Sequence, residues 1–107
     1  MAYSDALAAQ VRALLPGSAI EKKMFGGLAF LLDGNMACGV LGDELIVRVG
    51  RANDEAASEK PHTRPFDFTG RPMRGWIVVM PPGLADAGAL EAWVLAGART
   101  AESLPPK

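Results

Sequence analysis

Three short apolar runs separated by two glycine-containing dipeptides constrain the fold of this chain more than any other feature. The runs cover residues 28–32, 36–41 and 44–49, and the dipeptides between them are Asp33-Gly34 and Gly42-Asp43. Asp-Gly between apolar runs is typical of a tight β-hairpin, because the central residues of such a turn need positive φ angles. The sequence therefore predicts an antiparallel meander of three strands, with Gly34 at positive φ.

Residue alternation in the third strand indicates how this meander is buried. One side of the strand is wholly aliphatic and carries Leu45, Val47 and Val49. The other side carries Glu44, Ile46 and Arg48. Because successive side chains of a strand point to opposite faces, we expect one face of the sheet to be mostly buried.

Helical periodicity occurs at both ends of the chain. A stripe at helical spacing predicts a helix over residues 5–15, capped by Ser4 or Asp5; its members are Leu7, Val11, Leu14 and Leu15. A second stripe predicts a helix that begins after Asp86; its members are Leu90, Trp93, Val94, Gly97, Ala98 and Ala101. Both helices are expected to pack on the sheet.

The segment between the meander and the last helix is less regular. Residues 52–60 are alanine-rich and charged, which predicts a short surface helix before Pro61. Further along, we expect an extended segment over 66–68, a turn over 69–72 and an apolar strand over 76–80. The whole chain, residues 1–107, is predicted to be a single α+β domain. Its antiparallel sheet contains the three-strand meander plus one or two further strands, packed with N- and C-terminal helices.

Composition excludes several classes of function. Eleven Lys and Arg residues against twelve Asp and Glu residues give a net charge of −1 and a pI near 5.7. A general nucleic-acid binder has a basic domain with a pI above about 9, so direct nucleic-acid binding is not expected. One cysteine excludes an internal disulfide, and no apolar run approaches the roughly 18 residues of a membrane span. The N-terminus lacks a signal-peptide pattern, so a cytoplasmic location away from membranes is expected.

Few residues are candidates for catalysis or for ligand binding. Cys38, the only thiol, is predicted to be a buried strand residue, and the only histidine, His62, lies far along the chain. No catalytic residue, metal or cofactor is therefore expected. The glycines of Met24-Phe25-Gly26-Gly27 lack the spacing of a phosphate loop and precede a strand, which favours a close backbone approach or a bulge. A small-ligand or enzyme pocket beside this motif and Cys38 stays open as the alternative.

Three aromatic residues are interleaved with the basic residues between positions 48 and 76. We expect Phe66, Phe68 and Trp76 to be core anchors, with Gly70 in the turn that follows the two phenylalanines. This turn would present Arg71, and Arg64 and Arg74 flank it in sequence. A guanidinium pairs a carboxylate bidentately, so the hypothesis is that Arg64, Arg71 and Arg74 bind an acidic patch on a protein partner. A merely solvated loop is the alternative.

Several of these stretches together resemble the N-terminal domain of the TfoX/Sxy family of bacterial competence regulators. The carrying segments are residues 23–30 with the Met-Phe-Gly-Gly motif, 32–36, 44–49, 65–73 with the Gly-Arg-Pro-Met motif, and 90–93. The resemblance implies an α+β domain with an antiparallel sheet. Two-domain members help to switch on DNA-uptake genes alongside the cyclic-AMP receptor protein. The family supplies no catalytic residues, so the resemblance implies a regulatory or protein-binding module.

Overall fold

A computed structural model describes residues 3–67, 70 and 73–106 of the chain, and within them the fold is α+β as predicted. The helices are α1 (Asp5–Leu14), α2 (Asp54–Ser58) and α3 (Ala87–Glu102). The strands are β1 (Ile20–Met24), β2 (Gly27–Leu32), β3 (Asn35–Leu41), β4 (Glu44–Arg48), β5 (Thr63–Pro65) and β6 (Trp76–Val79). All neighbouring strands pair antiparallel in one open sheet of order β1-β2-β3-β4-β6-β5.

The predicted meander forms strands β2, β3 and β4. Asp33 and Gly34 connect the paired residues Leu32 and Asn35, with φ angles of 52° and 82°. Positive φ at both central positions is the requirement of a type I′ turn, which confirms the prediction for Gly34. The next turn is equally short, because Leu41 pairs directly with Glu44.

Two features of the sheet differ from the sequence prediction. Strand β1 was not predicted, because its sequence Ile-Glu-Lys-Lys-Met is exposed throughout and has no apolar alternation. The strand before β6 lies at Thr63–Pro65, ahead of the extended segment predicted over 66–68, whose last residue is outside the described residues; its pairing with β6 runs from Thr63 opposite Val79 to Pro65 opposite Ile77. The sheet consequently has six described strands, where four or five were expected.

Both long helices pack on one side of the sheet, which we call the helical face. The predicted caps are present: Ser4 Oγ accepts from the Leu7 N–H, and Asp86 Oδ2 accepts from the Ala89 N–H. The buried residues of α3 are those of the predicted stripe. The two helices cover Phe30, Cys38, Val40, Leu45, Val47, Ile77 and Val79 from the sheet.

Close approach of α3 to the sheet depends on Gly97. A Cβ atom at this position would lie 2.3 Å from the Ala37 carbonyl oxygen, a distance that no side chain tolerates. The absence of a side chain therefore lets the helix backbone contact strand β3 directly. The main hydrophobic core of the molecule lies at this interface.

Candidate interaction surface

The opposite side of the sheet carries a second, smaller hydrophobic cluster, which we call the aromatic face. Its buried members are Ile46, Phe66 and Val78, and the half-buried residues packed against them are Phe25, Met36, Leu41 and Trp76. Side chains from turns and strand ends cover this face, in contrast to the helices on the other side. Large apolar groups therefore remain within reach of solvent here.

Phe25 reaches the aromatic face from the tight turn that joins β1 to β2. Met24 pairs with Gly27, so Phe25 and Gly26 are the two turn residues, with φ angles of 43° and 79°. A Cβ at Gly27 would lie 2.2 Å from the Val40 carbonyl oxygen, which confirms the predicted close backbone approach. The Met-Phe-Gly-Gly motif is thus a hairpin turn, and a strand follows it where a phosphate loop would need a helix N-terminus.

A glycine beneath the Phe25 ring makes room for it. A Cβ at Gly39 in the middle of β3 would lie 2.9 Å from Phe25 Cζ and 2.9 Å from the terminal methyl carbon of Met36. Any larger residue at position 39 would push the ring away from the sheet. The turn and the strand therefore hold the ring against the face together.

The aromatic side chains form a continuous row across the face. The ring centroids of Phe25 and Phe66 are 6.1 Å apart in an edge-to-face arrangement, and those of Phe66 and Trp76 are 6.2 Å apart. The guanidinium carbon of Arg48 lies 5.0 Å from the centroid of the Trp76 ring. The row thus brings the Met-Phe-Gly-Gly motif into contact with Phe66, which lies about forty residues further along the sequence.

The segment after Phe66 forms a loop whose two ends are close together. The Met73 N–H donates to the Phe66 carbonyl over 3.0 Å, and the Gly70 N–H donates to the Asp67 carbonyl over 2.8 Å. Gly70 has a φ of 86°. The predictions for Phe68 and Arg71 fall outside the described residues.

Arg64 and Arg74, the two described members of the predicted arginine group, do not share one environment. Arg64 Nη2 donates to Glu44 Oε1 over 2.6 Å, and Arg64 Nη1 lies 3.9 Å from Asp67 Oδ1. Arg64 is therefore paired within the chain. Arg74 is exposed and forms no ion pair with a described residue.

Two arginines that the sequence analysis did not select lie near Arg74. The Gly75 carbonyl accepts hydrogen bonds from the N–H groups of Val49 and Gly50, over 2.8 and 3.1 Å. A Cβ at Gly75 would be 3.1 Å from the Arg51 nitrogen. These contacts bring the C-terminal end of β4 and the N-terminal end of β6 together. At this end of the two strands we group Arg48, which lies on the aromatic face, with the exposed Arg51 and Arg74, and we call the three the arginine corner. Two sequence signals bear on this group: Arg48 is predicted to lie on the strand side opposite Leu45 and Val47, and aromatic residues are interleaved with arginines between residues 48 and 76.

The sequence as a whole matches one known protein family. The family model of the TfoX N-terminal domain matches residues 10–101, which is most of the chain. The chain belongs to the TfoX N-terminal domain family. This confirms the resemblance that the sequence motifs indicated. No curated protein and no solved structure gives a significant match.

Cys38 of this TfoX N-terminal domain lies on the helical face, fully buried. Burial raises the pKa of its thiol to about 12, so at neutral pH the sulfur is protonated. Phe25 packs on the opposite face, so the sheet separates the Phe25 ring of the Met-Phe-Gly-Gly motif from the Cys38 side chain. The described cavities of about 310, 360 and 310 Å³ all border α3 instead.

Metal sites and membrane spans are the other features that bear on the function of this TfoX N-terminal domain. Within residues 3–67, 70 and 73–106, no three His, Cys, Asp or Glu side chains are grouped closely enough to hold a metal ion. No helix in the described part of the chain has the length and apolar character needed to cross a membrane.

Proposed function

We propose that this TfoX N-terminal domain is a cytoplasmic regulatory module that binds a protein partner through its aromatic face and arginine corner. The observation that carries the proposal is the contact between Phe25 and Phe66. It joins the Met-Phe-Gly-Gly motif to the start of the segment 65–73, on the side of the sheet that the long helices leave uncovered.

The chemistry of the surface supports binding. Aromatic residues, Met and Arg are enriched at protein interfaces, and the residues that contribute most binding energy include Trp and Arg. Trp76, Phe25 and Met36 are each half-buried, and Arg48 stacks on Trp76. Such side chains are already ordered by their neighbours, which lowers the entropy that a partner must remove on binding.

The arginine corner favours an acidic partner. Arg51 and Arg74 are exposed, and Asp54, the nearby carboxylate, is engaged as an acceptor from the Gly75 N–H over 3.0 Å. Free guanidinium groups pair carboxylates bidentately, which gives orientation as well as attraction. The net charge of −1 offers little general attraction to nucleic acid, so the partner that we propose is a protein.

The role that we propose is regulation by binding rather than catalysis. The protonated and buried state of the Cys38 thiol supports this choice, because a nucleophilic cysteine needs a thiolate and access to substrate. Membership of a family named for competence regulators supports a regulatory role.

A pair of matched charge reversals tests the proposal. A partner is first identified by affinity capture and mass spectrometry, and its Kd is then measured with purified proteins. We expect Arg74→Glu to raise the Kd about tenfold or more, because it places a carboxylate where the acidic partner binds. Arg99→Glu makes the same charge change at an exposed position of α3 and should leave the Kd unchanged.

Two results would contradict the proposal. Equal Kd values for Arg74→Glu and Arg99→Glu would show that the arginine corner is not the contact. Retardation of mixed-sequence DNA by the wild-type chain at about 0.15 M salt, lost in Arg74→Glu, would replace the protein partner by nucleic acid.

A further inference from the structure

Strand β1 is an edge strand whose outer side is open. All five residues from Ile20 to Met24 are exposed, and β1 is the outermost strand of the sheet, with β2 as its sole neighbour among the described strands. Ile20 is 64% exposed and Met24 39% exposed, so two large apolar side chains of this strand face solvent. An exposed edge with apolar side chains is a template for pairing with another strand.

Hairpin geometry fixes which backbone groups of β1 point outward. Met24 and Gly27 flank a two-residue turn, so this pair exchanges hydrogen bonds between the strands. Bonded and non-bonded pairs then alternate, which directs the backbone groups of Lys22 and Ile20 toward β2 as well. The N–H and C=O groups of Glu21 and Lys23 point away from the sheet.

We propose that a second copy of this chain pairs antiparallel along β1, about a two-fold axis at Lys22. In this register Glu21 lies opposite Lys23 of the second copy, and Lys23 opposite its Glu21. Both pairs exchange backbone hydrogen bonds and carry opposite charges, which stabilises facing strand residues. Ile20 lies opposite Met24 of the second copy, so the two exposed apolar side chains cover each other.

Charge selects this register from the others. Outward backbone groups also meet when the two-fold axis lies at Glu21 or at Lys23, but these registers place Glu21 opposite Glu21 or Lys23 opposite Lys23. Only the axis at Lys22 pairs unlike charges at both outward positions. Its cost is that Lys22 faces Lys22 of the second copy, where two long exposed stems can diverge.

The paired arrangement has a consequence for the two aromatic faces. The axis that relates two antiparallel edge strands runs perpendicular to the sheet, so equivalent faces lie on the same side of the joined sheet. A dimer would therefore present two aromatic faces in one direction. Two binding surfaces held together increase the avidity for a partner with two matching sites.

Charge-reversed variants of the full chain test the pairing. Sedimentation over a concentration series should show a reversible dimer for the wild type. Glu21→Lys and Lys23→Glu each place two like pairs across the axis, and each should raise the dimer Kd at least tenfold. An equimolar mixture of the two variants restores both unlike pairs, so it should form a heterodimer with a Kd near that of the wild type.

Controls separate the edge contact from folding. Arg12→Ala removes the cation that holds Glu21 within the chain and should leave the dimer intact. Lys22→Thr removes the like-charged pair at the axis and should lower the dimer Kd. Three results would overturn the proposal: a wild type that is monomeric at every concentration, single variants that dimerise as the wild type does, or a mixture of folded variants that stays monomeric.

Discussion

The two faces of the sheet are both apolar, but they are covered in different ways. On the helical face, α1 and α3 come from the two ends of the chain and seal a core that includes Phe30 and Cys38. On the aromatic face, single rings from a turn and a loop cover only part of the sheet, and Trp76 stays half-buried. From this difference we expect the helical face to contribute most of the stability, and it is the reason for proposing the aromatic face as the contact surface.

The largest expected effect concerns the thiol on the helical face. Because Cys38 is fully buried and its pKa is raised from 9.0 to about 12, its thiolate fraction at neutral pH is lowered by about three orders of magnitude. We expect a thiol reagent to label native Cys38 at least about a thousandfold more slowly than the unfolded chain. Stopped labelling followed by mass spectrometry measures both rates.

A matched cysteine on the aromatic face sharpens this comparison. Leu41→Cys in a Cys38→Ala background places a thiol at a half-buried position, and it should react far faster than native Cys38. Fast labelling of native Cys38 would contradict the assignment of the helical face as a sealed core.

The same pKa shift predicts how stability depends on pH. The folded state holds the Cys38 proton up to about pH 12, whereas the unfolded chain releases it near 9. The contribution of the protonated Cys38 thiol to the free energy of unfolding is therefore complete below pH 9 and is lost as the pH rises from 9 to 12. Cys38→Ala should lose less stability than the wild type over this range, as measured by denaturant unfolding. Parallel losses in the two proteins would contradict this origin.

Two phenylalanine truncations compare the faces directly. Phe30→Ala empties a fully buried site beneath the helices and should cost about 3–5 kcal/mol. Phe66→Ala removes a buried ring from the smaller cluster and should cost about 1–3 kcal/mol, because the aromatic neighbours of this ring are themselves only half-buried and less apolar area is lost. Denaturant unfolding gives both values, and a cost for Phe66→Ala as large as that for Phe30→Ala would remove the contrast between the faces.

A substitution in the turn between β2 and β3 should have a smaller effect on stability than the loss of a buried phenylalanine. Gly34 has a φ of 82°, which strains a β-branched residue by more than about 1 kcal/mol. Gly34→Val should lower the Tm by several degrees, on a scale of about 4–8 °C per kcal/mol. Gly17→Val is the matched control, since no atom lies within 4 Å of its added Cβ and its φ is not in the positive range. Equal Tm values for the two variants would contradict the positive φ assigned to Gly34 in this turn.

The smallest expected effect is that of the ion pair between α1 and β1. Arg12 binds both carboxylate oxygens of Glu21, and the hydrogen bond from Arg12 lowers the Glu21 pKa below 4.5. The contribution to stability is therefore present above pH 4.5 and is lost as the pH falls through the lowered pKa. Because the pair is exposed, Glu21→Gln should change the Tm only slightly at neutral pH and not at all in strong acid. A Tm difference between Glu21→Gln and the wild type that grows toward acid pH would contradict this account.

Sequence reasoning succeeded where the signal is local. The Asp33-Gly34 turn, the Asp86 cap and the α3 stripe depend on residues close together in the chain, and all three were predicted. It failed for β1, because pairing with β2 stabilises an exposed strand that carries no apolar pattern of its own.

The candidate site was predicted only in part for the same physical reason. Phe25 and Phe66 were both selected from sequence, but their contact depends on the order of strands in the sheet. That order also brings Arg64 within reach of Glu44 two strands away, and this ion pair was not predicted. Long-range pairing of this kind has no signature in a single sequence.

The two tryptophans of the chain provide the most direct test of the central claim, because one lies on each face. Trp76 is part of the aromatic face, and Trp93 of α3 is buried in the core on the helical face. Their indole N–H resonances can be followed in a ¹⁵N-labelled sample as the captured partner is added. The account predicts that the Trp76 signal shifts or broadens while the Trp93 signal stays in place. A shift confined to Trp93 would contradict it.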